Sequence, residues 1–259
     1  MDVIAFFAHP DDETMLAGGT LALLARSGVQ VHYLCATRGE GGELGEPPLN
    51  QRAGLGARRE QELVCAVREL GGRSLTFLGY EDPLIGEGDE LFSYSDNLVK
   101  VAGQLTASLQ QFGAQAVITH GSNGEYGHPA HVFTFQAALS AVSALHSGGS
   151  PIELYTVAAY FNDHPWPRLA NKDDAADMVL DITPVLAQKT AAALCHETQH
   201  ALFVRRASEE AGRKLSVPEV ILTVESLHHV RQPDGSLGEP LLERRLEDFW
   251  RAPQEPQDV

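Results

Sequence analysis

Ala8-His9-Pro10-Asp11-Asp12-Glu13 sets one imidazole and three carboxylates directly behind the apolar run Val3-Ile4-Ala5-Phe6-Phe7. Carboxylates packed that closely repel one another unless a cation or a shared proton offsets their charge. A metal site is the simplest resolution. A second polar cluster, Glu125-Tyr126-Gly127-His128-Pro129-Ala130-His131, follows the apolar run Ala116-Val117-Ile118-Thr119 a little further on. Two histidines and one aspartate supply three protein ligands and leave a fourth position for water, as catalytic zinc requires. His9 and Asp12 stand three apart across a turn and can converge on one ion. His131 is the natural third ligand, with His128 one turn earlier facing the substrate. Asp11 is then free to face the activated water and take its proton. Taken alone, Asp11-Asp12-Glu13 would serve equally as the acidic start of a helix, and a lone HxxH is mostly accidental.

The elements around these clusters alternate. Val3–Phe7, Val29–Cys35, Ser74–Leu78, Ala116–Thr119 and Leu154–Tyr160 are short, mostly apolar runs that predict strands. Helices are predicted over about Glu13–Arg26, ending at Gly28, and about Ala57–Leu70, ending at Gly71-Gly72. A third carries Leu98, Ala102, Leu105, Leu109 and Phe112 between a Ser95-Asp96 cap and Gly113. A fourth, following His131, carries Phe135, Leu139 and Val142. Such alternation implies a Rossmann-like three-layer α/β/α sandwich with a mostly parallel sheet. Ligands bind such sheets beyond the carboxyl ends of the strands, so topology sends both polar clusters to one rim. In the less regular C-terminal third, Thr183-Pro184 opens a helix to about Cys195. Val220–Val224 predicts a strand, Pro233-Asp234-Gly235 a turn, and Pro253–Val259 a frayed tail. The stretch from Gly39 to Gly56, rich in Gly, Pro and Glu, predicts a long loop that could lie over a site as a lid.

At 259 residues, 43% of them hydrophobic, the chain fits one domain, and its formal charge of −16 argues against nucleic-acid backbones and anionic membranes as partners. No apolar run is long enough to span a bilayer and the N-terminus lacks a basic leader, so the cytoplasm is the expected location. The three cysteines Cys35, Cys65 and Cys195 have no paired spacing and are expected as free thiols, those at 35 and 65 buried.

AHPDDE near the N-terminus and the later GHPAH resemble the LmbE-like (PIG-L) family of zinc-dependent N-acetylglucosamine deacetylases. Other pieces agree in order: Thr37-Arg38-Gly39-Glu40, Arg59-x-x-Glu62 before Leu70-Gly71, Val179-Leu180-Asp181-Ile182-Thr183 with Lys189, and His196-Glu197-Thr198-Gln199. The resemblance spans about residues 3–200 of what is expected to be a single domain, with an irregular C-terminal extension. It implies His9, Asp12 and His131 as ligands of zinc (or ferrous iron) and Asp11 as general base. It also implies His128 as a group that polarises or protonates the tetrahedral species, Tyr126 as an oxyanion donor, and Arg59 in the place of a residue that holds sugar hydroxyls. One departure stands out. The family commonly has Asp between the two histidines, where this chain has Ala130, so His128 lacks a neighbouring carboxylate unless Glu125 substitutes.

The expected function is hydrolytic removal of an N-acetyl group from an N-acetylglucosamine-type small molecule, with homo-oligomerisation left open. A rival enzyme reading is an amidase that cleaves a thiol-conjugate amide with the same site. A rival of another class, a nucleotide-binding Rossmann module, conflicts with His-Pro-Asp-Asp standing where GxGxxG should follow the first strand.

Overall fold

The computed structural model describes residues 1–232 and 234–250, so Pro233 of the expected turn and the tail from Pro253 lie outside the described residues. The first half alternates as expected: β1 (Asp2–Phe7), α1 (Asp12–Arg26), β2 (Gln30–Thr37), α2 (Leu55–Glu69), β3 (Ser74–Tyr80), α3 (Leu98–Phe112) and β4 (Ala116–Thr119). A single distorted turn, α4 (Gly124–Gly127), precedes α5 (Pro129–Ser147) and β5 (Glu153–Val157). Then come β6 (Ala159–Tyr160), β7 (Asn171–Ala175), β8 (Met178–Asp181), α6 (Leu186–Cys195), α7 (His200–Ala211), α8 (Val217–Val220), β9 (Val224–His229) and α9 (Leu241–Leu246).

The main sheet has the order β3-β2-β1-β4-β5-β9-β8. β1 pairs in parallel with β2 on one side and with β4 on the other, and β3 and β5 extend the parallel run. The chain therefore winds outward in two directions from β1 and β4. The rim between those two strands is the switch point where open α/β sheets gather ligands. β1 also shows why its run is continuously apolar. Val3, Ala5 and Phe7 join a core with Leu21 and Leu24 of α1 and Leu63 and Val67 of α2. Ile4 and Phe6 point the other way, into a core with Leu105 and Leu109 of α3 and Ala137 and Ala141 of α5. Both faces of a central parallel strand are buried, so its two-residue period carries no polar alternation.

Several expectations need correction. α3 is capped by Asn97, whose Oδ1 accepts from the Lys100 amide at 3.0 Å, rather than by Ser95 or Asp96. The strand expected over Leu154–Tyr160 breaks at Ala158, whose φ is +50°, and β6 leaves to pair with β7 in a separate ribbon. The strand expected at Val220–Val224 starts where that segment ends. Ser216 and Glu219 form a reciprocal capping box that winds 217–220 into α8, and β9 runs on from Val224, antiparallel to both β5 and β8. His228 and His229 lie within β9. The segment after β2 is tied down rather than free as a lid. Arg205 grips both carboxylate oxygens of Glu43 at 2.7 Å, Gln199 donates to the Glu43 carbonyl, and Arg52 donates to the Glu40 carbonyl.

Cys65 and Cys195 are not free thiols. They form a disulfide across 130 residues, with Cα atoms 5.8 Å apart, because α2 packs against α6; Cys35 alone is free and buried. A bond of this kind ordinarily persists in oxidising surroundings and so pulls against the expected cytoplasmic location. Closing so long a loop restricts the unfolded chain and is worth about 2–5 kcal/mol. Reduction, or Cys195→Ser, is therefore expected to lower Tm by on the order of 10 °C. An unchanged thermal unfolding curve under reductant would mean that the bond contributes nothing.

Candidate metal centre

β1 ends at Phe7, and the chain turns sharply through Pro10 into α1. Asp11 has φ +120°, a backbone conformation that non-glycine residues rarely take and that costs energy to hold. Its carbonyl accepts from the Thr14 and Met15 amides, while its side chain makes no capping bond and is free for other work. Asp12 and Glu13 do occupy the acidic first turn of α1, yet both side chains have partners elsewhere. Glu13 accepts from the Asp11 amide at 3.0 Å and from the Thr14 hydroxyl, and it faces His196 Nε2 at 3.2 Å. Asp12 turns inward towards three imidazoles.

From the other side, β4 ends at Thr119 and the chain returns through α4 to α5, whose N-cap is His128. His131 on the first turn of α5 thus reaches Asp12, and the two remote clusters meet. His9 Nδ1 lies 3.2 Å from Asp12 Oδ2, His131 Nε2 lies 3.3 Å from Asp12 Oδ1, and the His9 and His131 rings are 5.4 Å apart. All three residues are buried. His131 Nε2 is a buried nitrogen without a hydrogen-bond partner. Two imidazole nitrogens and a carboxylate oxygen that converge in this way, one of them orphaned, fit a divalent ion of the zinc type. Ligand atoms of His9, His128 and His131 also lie within 4.8 Å of one another, as do those of Asp12, His120 and His131.

His120 is nevertheless poorly suited to hold an ion. Its Nε2 accepts from the Ala8 amide at 3.1 Å, so that lone pair is occupied and the proton sits on Nδ1, 3.1 Å from Glu125. Burial disfavours a charged His120 ring, but Glu125 and Asp12 outweigh it and raise its pKa to about 9. The Ala8 hydrogen even so stands where a second proton would go. For His9, burial again opposes the charged form while bonds to Asp12 and Asp82 raise the pKa to about 9. Asp82, in the loop after β3, approaches His9 Nε2 at 3.2 Å and accepts from the Gly41 amide. Nothing in its sequence context marks it. Burial would lift the Asp12 carboxyl, but His131 and His120 hold it well below the usual range.

Asp11 stands apart from this knot. Burial raises its pKa, Arg59 lowers it and Asp12 raises it again, leaving it at about 6. Arg59 of α2 supplies that lowering. It is buried, donates to the Gly39 carbonyl at 2.9 Å and to the Pro10 carbonyl, and places Nη2 3.3 Å from Asp11 Oδ2. His128 stacks on His131 at 4.4 Å, and its Nδ1 accepts from the Ala130 amide at 3.2 Å. Burial and the neighbouring His131 and His9 push its pKa down to about 3. Glu125 does not replace the acid missing at Ala130, because its carboxylate goes to His120 and His131 instead. The ring of Tyr126 stands edge-on to His128 and His131, and the residue is 57% exposed.

The remaining motif residues are structural here. Lys189 lays its stem against Gly18 of α1 and pairs with Glu225 at 2.7 Å in the interior, and Glu225 also accepts from the amides of Gly19 and Thr20. His196 is buried against Glu13 and Thr14, and Glu62 accepts from the amide and hydroxyl of Thr198.

A family profile described as PIG-L, GlcNAc-PI de-N-acetylase, matches residues 4–142, which contain both clusters. The chain belongs to this family. Among curated PIG-L relatives, a 1D-myo-inositol 2-acetamido-2-deoxy-alpha-D-glucopyranoside deacetylase of Streptomyces avermitilis is 30% identical over 238 residues, covering 74% of this chain and 80% of that protein. One from Catenulispora acidiphila is 35% identical over 163 residues, but that match spans only 45% of its length and 55% of this chain. Among solved structures, the N,N'-diacetylchitobiose deacetylase of Pyrococcus horikoshii aligns with TM-score 0.62 at 20% identity, covering 88% of this chain and 83% of that one. GalB, the 4-carboxy-2-hydroxymuconate hydratase of Pseudomonas putida, aligns with TM-score 0.59 at 22% identity, covering 92% and 98%. These structural likenesses show the α/β fold alone; PIG-L deacetylases are metal-dependent, and this chain has a His/Asp/His cluster that could bind a metal. Among the described residues no helix is long and apolar enough to cross a membrane.

Proposed function

We propose that the chain is a metal-dependent hydrolase that removes the acetyl group from an N-acetylglucosamine-type sugar or its conjugate. The observation that carries this reading is the meeting of His9, Asp12 and His131 beside an Asp11 carboxylate that none of them engages. The named activity of the curated relatives, removal of an acetyl group from an N-acetylglucosaminyl inositol, supports the choice of bond. His9 Nδ1, Asp12 and His131 Nε2 would hold the ion. We assign zinc, with ferrous iron as the alternative, from the mixed nitrogen and oxygen donor set. When bound, such an ion polarises the acetamide carbonyl and lowers the pKa of a water beside it.

Asp11 Oδ takes the proton from the attacking water and later returns one to the departing amine. Arg59 keeps that carboxylate pointed at the reacting atoms through its 3.3 Å contact, while its bonds to Gly39 and Pro10 hold the guanidinium itself in place. His128, neutral, offers Nε2–H to the developing oxyanion, and Tyr126, whose ring stands edge-on to His128, is the second donor to it.

The test is acetate release from free N-acetylglucosamine, its glycosides and disaccharides, and thiol-conjugate amides, together with elemental analysis. About one divalent ion per chain is expected, with acetate released from a sugar substrate, lost on chelation and restored by zinc. Cleavage of a thiol-conjugate amide alone would favour the amidase instead, and a loaded protein that hydrolyses no amide would remove the reading.

A further inference from the structure

Glu125 has an unusual position for a glutamate. It is 4% exposed, its φ is +58°, and it sits in the distorted turn α4 between β4 and α5. Its carboxylate meets four N–H groups. Oε2 lies 2.6 Å from His131 Nδ1 and 3.1 Å from His120 Nδ1, while Oε1 accepts from the Gly121 amide at 2.9 Å and from Asn171 Nδ2 at 3.2 Å. Asn171 of β7 also accepts from the Glu125 amide at 2.9 Å, so one asparagine grips the residue at backbone and side chain alike. That asparagine fills the space over Gly121, where an added Cβ would lie 1.9 Å from its Cγ. A left-handed glutamate, buried and held by a buried partner, is backbone strain kept in the service of an orientation.

An ionised carboxylate only accepts hydrogen bonds. At 2.6 Å the proton between Glu125 and His131 must therefore belong to His131 Nδ1, which leaves Nε2 as the ring nitrogen that faces Asp12 and His9. The same oxygen fixes His120 as the Nδ1–H tautomer, and His120 Nε2 in turn accepts from the Ala8 amide at the end of β1. One carboxylate thus sets the ligand tautomer on the α5 side and ties that side to the backbone that carries His9. We propose that Glu125 is a positioning residue that holds His131 in its metal-binding tautomer and locks the two ligand-bearing turns in register. The proposal rests on the metal-centre reading above. An acid that accepts the second ring N–H of a ligand histidine makes the imidazole a stronger donor, and losing it costs about 10–100-fold in metal affinity.

The experiment measures zinc affinity of the wild type and of Glu125→Gln by competition with a chromophoric chelator. The imidazole tautomer of His131 is read from its nitrogen-15 NMR shifts in the metal-free wild type. A glutamine has a single acceptor oxygen for two sides that each present two N–H groups, so it cannot serve both. The expected result is a His131 protonated on Nδ1 and an affinity for zinc about 10–100-fold weaker in Glu125→Gln. The melting temperature of each metal-free protein is recorded alongside. A wild-type His131 protonated on Nε2 but not on Nδ1 overturns the proposal even if the variant does not fold, and so does a folded variant that binds zinc within twofold of wild type. A wild type that binds no divalent ion overturns the metal-centre reading, and with it this one.

Discussion

Asp11→Asn is expected to keep the metal and lose about 10²–10⁴-fold in turnover, the range that a positioned general base supplies. Asparagine has nearly the shape of aspartate and leaves His9, Asp12 and His131 unaltered, so elemental analysis should give the wild-type ion content. The pH dependence follows with its sign. A base works in its ionised form, so activity is present above its pKa and falls as pH drops through it. Burial, only partly offset by Arg59, sets the Asp11 carboxyl at about 6. A cation seated nearby favours the ionised form and moves the limb down, so the acid limb of kcat/KM should lie at or below about 6 and vanish in the variant. Turnover within tenfold of wild type, with metal retained, would sink the base assignment.

Much of this arrangement is legible in the sequence. The apolar runs of β1, β2 and β4 and the spacing in α3 mark buried elements whose period depends on local packing alone. Two polar clusters that each follow a strand of a parallel sheet must come to one rim. What the sequence does not announce depends on long-range contacts. Asp82 lies in an irregular loop, far in sequence from His9, and nothing in its neighbourhood announces a partner for an imidazole. Cys65 and Cys195 have no diagnostic spacing because two packed helices bring them together. β8 and β9 are short and gain their identity only by pairing antiparallel at the far side of the sheet, and local capping at Ser216 decided the competition for residues 217–220. Glu125 was visible as an acid in the right cluster. Its partner was not, since the left-handed turn at α4 aims it at His131 and His120 and away from His128.

That redirection leaves His128 without an acid and determines how it can act. Its Nδ1 accepts the Ala130 amide hydrogen, so the ring proton sits on Nε2. Burial pushes its pKa down, and a cation held by the adjacent His9 and His131 would act in the same direction, so the ring is neutral throughout the working range. It can donate a hydrogen bond to developing negative charge, but it holds no spare proton to give away. Removing one such donor in His128→Ala is expected to cost about 10²–10³-fold in kcat, with little change in metal content. His128→Gln, which keeps an N–H at similar reach, should recover about tenfold or more of that loss, because donation rather than acidity is what the oxyanion requires. A proton-transfer role makes the opposite forecast: glutamine would be as poor as alanine, and the wild-type profile would carry a limb that disappears in both variants. Measuring kcat against pH for the three proteins separates the two, and equal loss in alanine and glutamine would restore His128 as an acid despite its missing carboxylate.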